Sequence, residues 1–260
     1  MGELRACRLT KRYSGITVVR DVDFTVRPGE VVGYLGPNGS GKTTTLRMLA
    51  GFLEPSSGHA AFDGRDVRDD PIAFRRRLGY IPEEAFLYPF LSGREYLELI
   101  GRLRDLPPRL LSGKIDGFLE LFGILEAADQ SIGSYSKGMR QKVLIAAALL
   151  HDPAVIFFDE PESGLDVTTT LVLRHLVRTL AERGKAILYS SHILEVVERV
   201  CSRVIVIHLG AVVADDSVER LRTVMSRTSL EGVFAQLAIT KNPELIARDL
   251  ADVMAASGAR

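Results

Sequence analysis

The chain has 260 residues, 46% hydrophobic and 25% charged, and its 33 basic and 33 acidic side chains leave no formal net charge. That is an ordinary composition for a globular protein long enough to bury most of its apolar surface. It lacks the basic excess with which a dedicated nucleic-acid binder neutralises phosphates. The densest basic run, Arg75-Arg76-Arg77, reads as a solvated helix face. Two cysteines, Cys7 and Cys201, stand far apart with no metal-ligand spacing, so a reducing compartment is expected. The opening residues, Met1 to Arg5, show no apolar leader, and no apolar run approaches the roughly 18 residues of a membrane helix. Any action on a membrane would need a partner to do the crossing.

In chain order, strands are expected over 4–9, 17–26 and 30–35, separated by turns at Ser14-Gly15 and Arg27-Pro28-Gly29. A helix over 42–50 closes at Gly51. A short strand over 59–62 ends at Asp63-Gly64, a hairpin signal. From about 83 to 138 the pattern is helical. Ser92 and Glu95 form a capping box, and Leu97, Ile100 and Leu103 then share one face. Pro107-Pro108 ends that helix, residues 110–122 supply another, and 143–150 read as a buried helix. Helix and strand then alternate: a strand buried on both faces over 155–158, a helix over 167–181, a strand over 186–189, a helix over 193–200 and a strand over 204–207. This predicts an α/β fold on a parallel sheet, with a helical insertion in the middle of the chain. A helical tail is expected from about 216 to the end.

Two runs carry chemistry. Gly36-Pro37-Asn38-Gly39-Ser40-Gly41-Lys42-Thr43-Thr44 fits the phosphate-loop pattern G-x-x-x-x-G-K-T/S, with a strand before it and a helix after. Glycines let successive backbone N–H groups converge on phosphate, and the helix directs its positive end there. Lys42 adds a point charge, and the Thr43 hydroxyl can ligate Mg²⁺. Further on, the apolar strand Val155-Ile156-Phe157-Phe158 ends in Asp159-Glu160. Ligands of parallel sheets bind beyond the carboxyl ends of strands. Asp159 is therefore placed to hold the metal, and Glu160 to activate or orient an attacking water.

A third run narrows the class. Ser134-Tyr135-Ser136-Lys137-Gly138-Met139-Arg140-Gln141-Lys142 stands 23 residues ahead of Asp159, counted from Ser136. It resembles the signature of ABC ATPases, usually written LSGGQ, in the variant typical of ABC-2 type and antibiotic exporters. The resemblance covers about residues 4–215. It implies a P-loop NTPase core with a mixed or parallel central sheet, an N-terminal antiparallel β subdomain and a helical subdomain over about 83–140. It assigns Tyr13 to stacking on adenine and Ser136, Lys137 and Gly138 to contacting the nucleotide of a second protomer. Within Ser163-Gly164-Leu165-Asp166 it places Asp166 on a loop that crosses between protomers. His192 falls at the switch histidine, which contacts the γ-phosphate. Lys42, Glu160 and His192 form the expected catalytic set. Glu83 departs from the family pattern, standing where glutamine is usual; Lys137 and Met139 depart from the signature.

The resemblance implies a cytoplasmic ATPase, peripheral to the membrane, with ATP and Mg²⁺ as ligands. Its expected partners are an integral membrane permease and a second ABC domain, a homodimer being the expected pairing, with no direct nucleic-acid contact. The alternative is a soluble, non-transport ABC ATPase acting on ribosomes or nucleic acid, although that kind usually carries two ABC domains or long coiled coils in one chain. A regulatory module that binds ATP without turning it over is the other class weighed, and Glu160 with His192 argues against it.

Overall fold

The computed structural model describes residues 2–84 and 86–220, together with Arg248. The chain divides into two compact units, Met1–Asp215 and Asp216–Arg260. Beyond residue 220 the expected tail lies outside the described residues, Arg248 excepted.

Strands β1 (Leu4–Tyr13) and β2 (Ile16–Val26) form a hairpin. Its two-residue turn puts Ser14 at φ 46° and Gly15 at φ 86°, the paired left-handed residues that a right-twisted hairpin favours. After β3 (Val31–Leu35) and α1 (Lys42–Leu49), the pair β4 (Ser57–Phe62) and β5 (Arg65–Asp66) turns the same way at Asp63-Gly64. These hairpins make one antiparallel sheet in the order β2-β1-β4-β5.

The chain continues through α2 (Pro71–Arg76), β6 (Leu78–Ile81), α3 (Gly93–Leu103), α4 (Pro108–Leu121), α5 (Lys137–Leu149), β7 (Val155–Asp159), α6 (Val167–Glu182), β8 (Ala186–Ser191), α7 (Leu194–Val200), β9 (Arg203–His208) and β10 (Ala211–Ser217). The second sheet runs β10-β9-β3-β8-β7-β6, and its pairs from β9 to β6 are parallel. Every residue of β3, β7 and β8 is buried, which explains their unbroken apolar runs. Helix α1 packs against strands of both sheets. Its Leu46, Met48 and Leu49 share one apolar cluster with Leu4, Leu9 and Val26 on one side and Tyr34, Phe157 and Leu188 on the other. Each such burial stabilises the fold by about 2 kcal/mol.

Within the helical section residues 83–84 and 86–91 are irregular, and the first helix begins at Gly93, directly behind the expected cap Ser92. Pro89 has no N–H to extend a helix, and its carbonyl is taken by Gly133 N–H at 2.8 Å and by the Ser131 hydroxyl. Ser92 then caps α3 with the expected reciprocal bonds: its hydroxyl accepts from Glu95 N–H at 3.1 Å, and its N–H donates to the Glu95 carboxylate at 2.8 Å. At its other end α3 stops at Leu103, ahead of the prolines. Pro107 and Pro108 instead open α4, where a missing N–H costs nothing. Helix α5 runs unbroken past 140 to Leu149 and packs on β6. That close approach needs Gly79, whose Cβ would sit 2.7 Å from the Ala148 carbonyl oxygen.

His151 follows α5 with its Nε2 3.1 Å from the Leu78 carbonyl oxygen and its Nδ1 buried with no hydrogen-bond partner among the described residues. Burial, aided by the Arg104 charge, pushes its pKa down from 6.5 to about 4. Between those values the unfolded chain binds a proton that the native state refuses. The contribution is complete above about pH 6.5 and is lost as pH falls towards 4. His151→Gln should therefore show a flatter pH dependence of its thermal midpoint across that window than the parent chain, measured by circular dichroism.

Candidate functional site

Residues 36–41 carry the chain from the buried end of β3 into α1. Gly39 at φ 78° and Gly41 at φ 102° take left-handed backbone that a side chain resists. Gly36 is constrained differently: a Cβ there would lie 2.5 Å from both the Ile207 carbonyl oxygen and the Ser40 hydroxyl. Gly41 is the N-cap of α1 and offers no side-chain cap. The first-turn N–H groups of α1 thus face outward at the positive end of the helix dipole, an arrangement suited to an anion. Lys42, 6% exposed, folds back and donates to the carbonyls of Gly36 at 2.7 Å and Pro37 at 3.3 Å. A cavity of about 240 Å³ opens here. Its walls are Val18, Asn38, Gly39, Gly41, Lys42, Thr43, Thr44, Glu83 and Glu160.

Asp159 ends β7 with 0% exposure. Ser190 donates its hydroxyl at 2.9 Å, Tyr80 donates at 3.3 Å, and the Thr43 hydroxyl faces the same carboxylate. Burial pushes the Asp159 pKa up, and the three hydroxyls oppose that shift. Its partners among the described residues are hydroxyls rather than a cation, so the charge of its ionised form would be left uncompensated. Oxygen donors of this kind suit a hard divalent cation, so Asp159 and Thr43 fit Mg²⁺.

Glu160 takes φ 49° immediately before Pro161, strained backbone that costs on the order of 1–3 kcal/mol. Its Oε2 lies 2.9 Å from His192 Nδ1. Its Oε1 lies 3.4 Å from Lys42 Nζ, within ion-pair range, and has no hydrogen-bond partner among the described residues. Lys42 and Glu160 therefore meet on the cavity wall, and His192 bonds Glu160 from outside it.

The remaining expected residues lie elsewhere. Tyr13, 46% exposed, sits at the hairpin end of β1 with the Lys11 ammonium 5.1 Å above its ring, and it is not on the cavity wall. Ser136 caps α5, its hydroxyl accepting from Met139 N–H at 3.2 Å. Lys137 donates to the Ser163 hydroxyl at 2.9 Å, and Gly138 lies so close to Gly164 that a Cβ would come 3.0 Å from its carbonyl oxygen. Asp166 caps α6 through Thr169, whose hydroxyl and N–H at 2.7 and 2.8 Å hold the carboxyl below its usual pKa. Lys137 and Gly138 thus meet the loop that leads to Asp166, and none of these residues lines the cavity.

Sequence reasoning missed Tyr80 and Ser190 as partners of Asp159. The available signal was Ser190-Ser191 at the end of an otherwise apolar strand, where two buried hydroxyls need a reason. It also missed Glu162, one residue past Pro161.

A parallel sheet whose strand, glycine loop and helix converge with acids from the next strand but one defines a P-loop nucleotide-binding protein. The chain belongs to the ABC transporter family: residues 19–163 match the family described as ABC transporter. It is 44% identical over 215 residues to the ABC transporter ATP-binding protein NatA of Bacillus subtilis, covering 82% of this chain and 87% of that one. It is 35% identical over 246 residues to the daunorubicin resistance ATP-binding protein DrrA2 of Streptomyces coeruleorubidus, covering 94% of this chain and 76% of that one. A solved structure of the ATP binding subunit of an ABC transporter superposes with a TM-score of 0.83 at 32% identity, covering 90% of this chain and 98% of that one.

Because Gly36 is hemmed in by backbone as well as by Ser40, Gly36→Ala should destabilise the fold by about 1–3 kcal/mol. A urea-denaturation midpoint equal to the parent's would contradict this packing.

Proposed function

We propose that the chain is the ATP-hydrolysing subunit of an exporter and drives a separate membrane permease. One observation carries the hydrolytic part: Lys42, Thr43, Glu83 and Glu160 meet on the wall of a single cavity, with Asp159 and His192 directly behind. In this reading the N–H groups of residues 39–44 and the Lys42 ammonium hold the β- and γ-phosphates of ATP. Tyr13 stacks on the adenine. Bound by Thr43 and Asp159, Mg²⁺ would supply neutralising charge for the phosphates.

Glu160 has two neighbours suited to a water-activating role. His192 fixes one carboxylate oxygen, and the other points at Lys42 with no hydrogen bond of its own. An incoming γ-phosphate competes for Lys42, which leaves that oxygen to accept a proton from water. The water oxygen then bonds to the γ-phosphorus, the bond from that phosphorus to the bridging oxygen breaks, and ADP leaves. His192, holding Glu160 at one end, is placed to meet the γ-phosphate. Glu83 sets a further carboxylate toward the same phosphates.

The signature residues support a two-protomer arrangement. Ser136, Lys137 and Gly138 open α5 away from the chain's own cavity, so the anion-favouring end of that helix is available to the nucleotide of a second copy. ATP held between two such chains would close a homodimer, and loss of the γ-phosphate would release it. Residues 1–215 would form the ABC domain and 216–260 a separate tail.

For transport, the support is the drug-resistance role named for the daunorubicin relative, together with the signature variant. A cavity of about 280 Å³ lies between the sheet and the helical section, lined by Phe52, Tyr80, Phe86, Tyr96, Ile100 and Arg104 among others. Phe86 beside it is 81% exposed. This groove would seat the permease and place the chain on the cytoplasmic face of the membrane. Among the described residues no helix is long and apolar enough to cross a membrane.

Glu160→Gln should keep ATP affinity, lower phosphate release by about a hundredfold or more, and trap a dimer in ATP on gel filtration. Release at the parent rate would remove Glu160 from this role. In a mild-detergent pull-down from native cells, a multi-span membrane protein should co-purify. Recovery of soluble partners alone, with the chain absent from membranes, would move the function to the non-transport branch.

A further inference from the structure

Three acids leave the end of β7 in close succession, and the third, Glu162, does not face the phosphate cavity. It is gripped from the opposite side. Arg174 on α6 donates Nε to one carboxylate oxygen and Nη2 to the other, both at 2.8 Å, and the Tyr189 hydroxyl of β8 donates to the first at 2.9 Å. The Glu162 and Arg174 side chains are only 18% and 19% exposed, and Tyr189 is fully buried. A forked guanidinium and a buried phenol together fix a carboxylate in direction as well as place.

The grip belongs to a pattern. Strand β8 and the residue after it hold all three acids: Ser190 bonds Asp159, His192 bonds Glu160, and Tyr189 bonds Glu162. Between the last two acids lies Pro161, with its ring-locked backbone and its carbonyl held by Gln141 at 3.2 Å. Little slack separates the Glu162 anchor from the left-handed backbone of Glu160. The anchor also matters because Glu160 has somewhere else to go. A second cavity of about 250 Å³ lies behind it, lined by Glu160, Glu162, Tyr189 and His192 among others, so Glu160 is the wall between two spaces.

We infer that Glu162 is a positioning residue for hydrolysis: clamped by Arg174 and Tyr189, it holds the turn at Glu160 and keeps that carboxylate aimed at the phosphate cavity rather than the space behind. The inference rests on the reading of Glu160 as the water-activating group.

The test uses the purified full-length chain, with phosphate release for turnover and a fluorescent ATP analogue for binding. Glu162→Gln keeps the shape of the side chain and gives up the charged fork. It should lower kcat about 10- to 100-fold, with KM and analogue affinity within about twofold of the parent. Tyr189→Phe removes one hydroxyl and should lower kcat about threefold, and it serves in the same cycle if Glu162→Gln folds poorly. The deciding arm is the Glu160→Gln background. There the second substitution should leave the residual rate within about twofold, because the group being positioned is gone. An equal fractional loss in both backgrounds would assign the effect to folding and overturn the inference, as would parent-like kcat in both Glu162→Gln and Tyr189→Phe. Parent-like hydrolysis by Glu160→Gln alone would overturn the underlying reading as well, and is seen without any Glu162 variant.

Discussion

Strand register between β3, β8 and β7 governs the position of every reactive group. Leu35 pairs with Ser191 and Asp159 with Ser190, so the three strands run out at one level. A slip of one residue would turn each side chain to the opposite face. Asp159 would then lose its hydroxyls, and the glycine loop would leave β3 out of step with the acids. Complete burial of these strands makes such a slip costly, because the residues that fix the register are also the core. Stability and chemistry are therefore specified by the same pairs.

Charge at the site is left out of balance by the fold. Glu160 approaches Lys42, Asp159 is buried among hydroxyls, and Glu83 adds a further carboxylate to the cavity lining. One lysine serves several acids, while the first turn of α1 offers positive potential without a side-chain cap. A phosphate chain accompanied by a divalent cation answers both halves of that imbalance. Lys42 and the helix end meet the phosphate oxygens, and the cation meets the carboxylates.

Much of this was legible in the sequence because it depends on local chemistry. The glycine loop, the two hairpin turns and the Ser92–Glu95 capping box are set by backbone demands within a few residues. The acids could be placed because an apolar run ending in charge has few positions in a parallel sheet. Longer-range features were not legible. Strand β6 is four residues long and relies on Gly79 to admit the end of α5, a contact between distant segments. The course of residues 86–91 was not legible either, because it is held by bonds from Ser131 and Gly133 to the Pro89 carbonyl. Tyr80 and Glu162 gain their meaning from Asp159 and Arg174, partners that periodicity does not reveal.

Helix α1 is packed between two sheets and carries the phosphate loop at its exposed end. An element enclosed on both sides cannot tilt without opening two interfaces at once. The loop it carries is consequently the fixed datum of the molecule, against which other parts are measured. The helical section has a different mounting, resting on the sheet through α5 and β6 and joined to it by an irregular stretch after Ile81. If one part of this chain travels while another stands still, the bearing lies at that seam and the frame lies at α1.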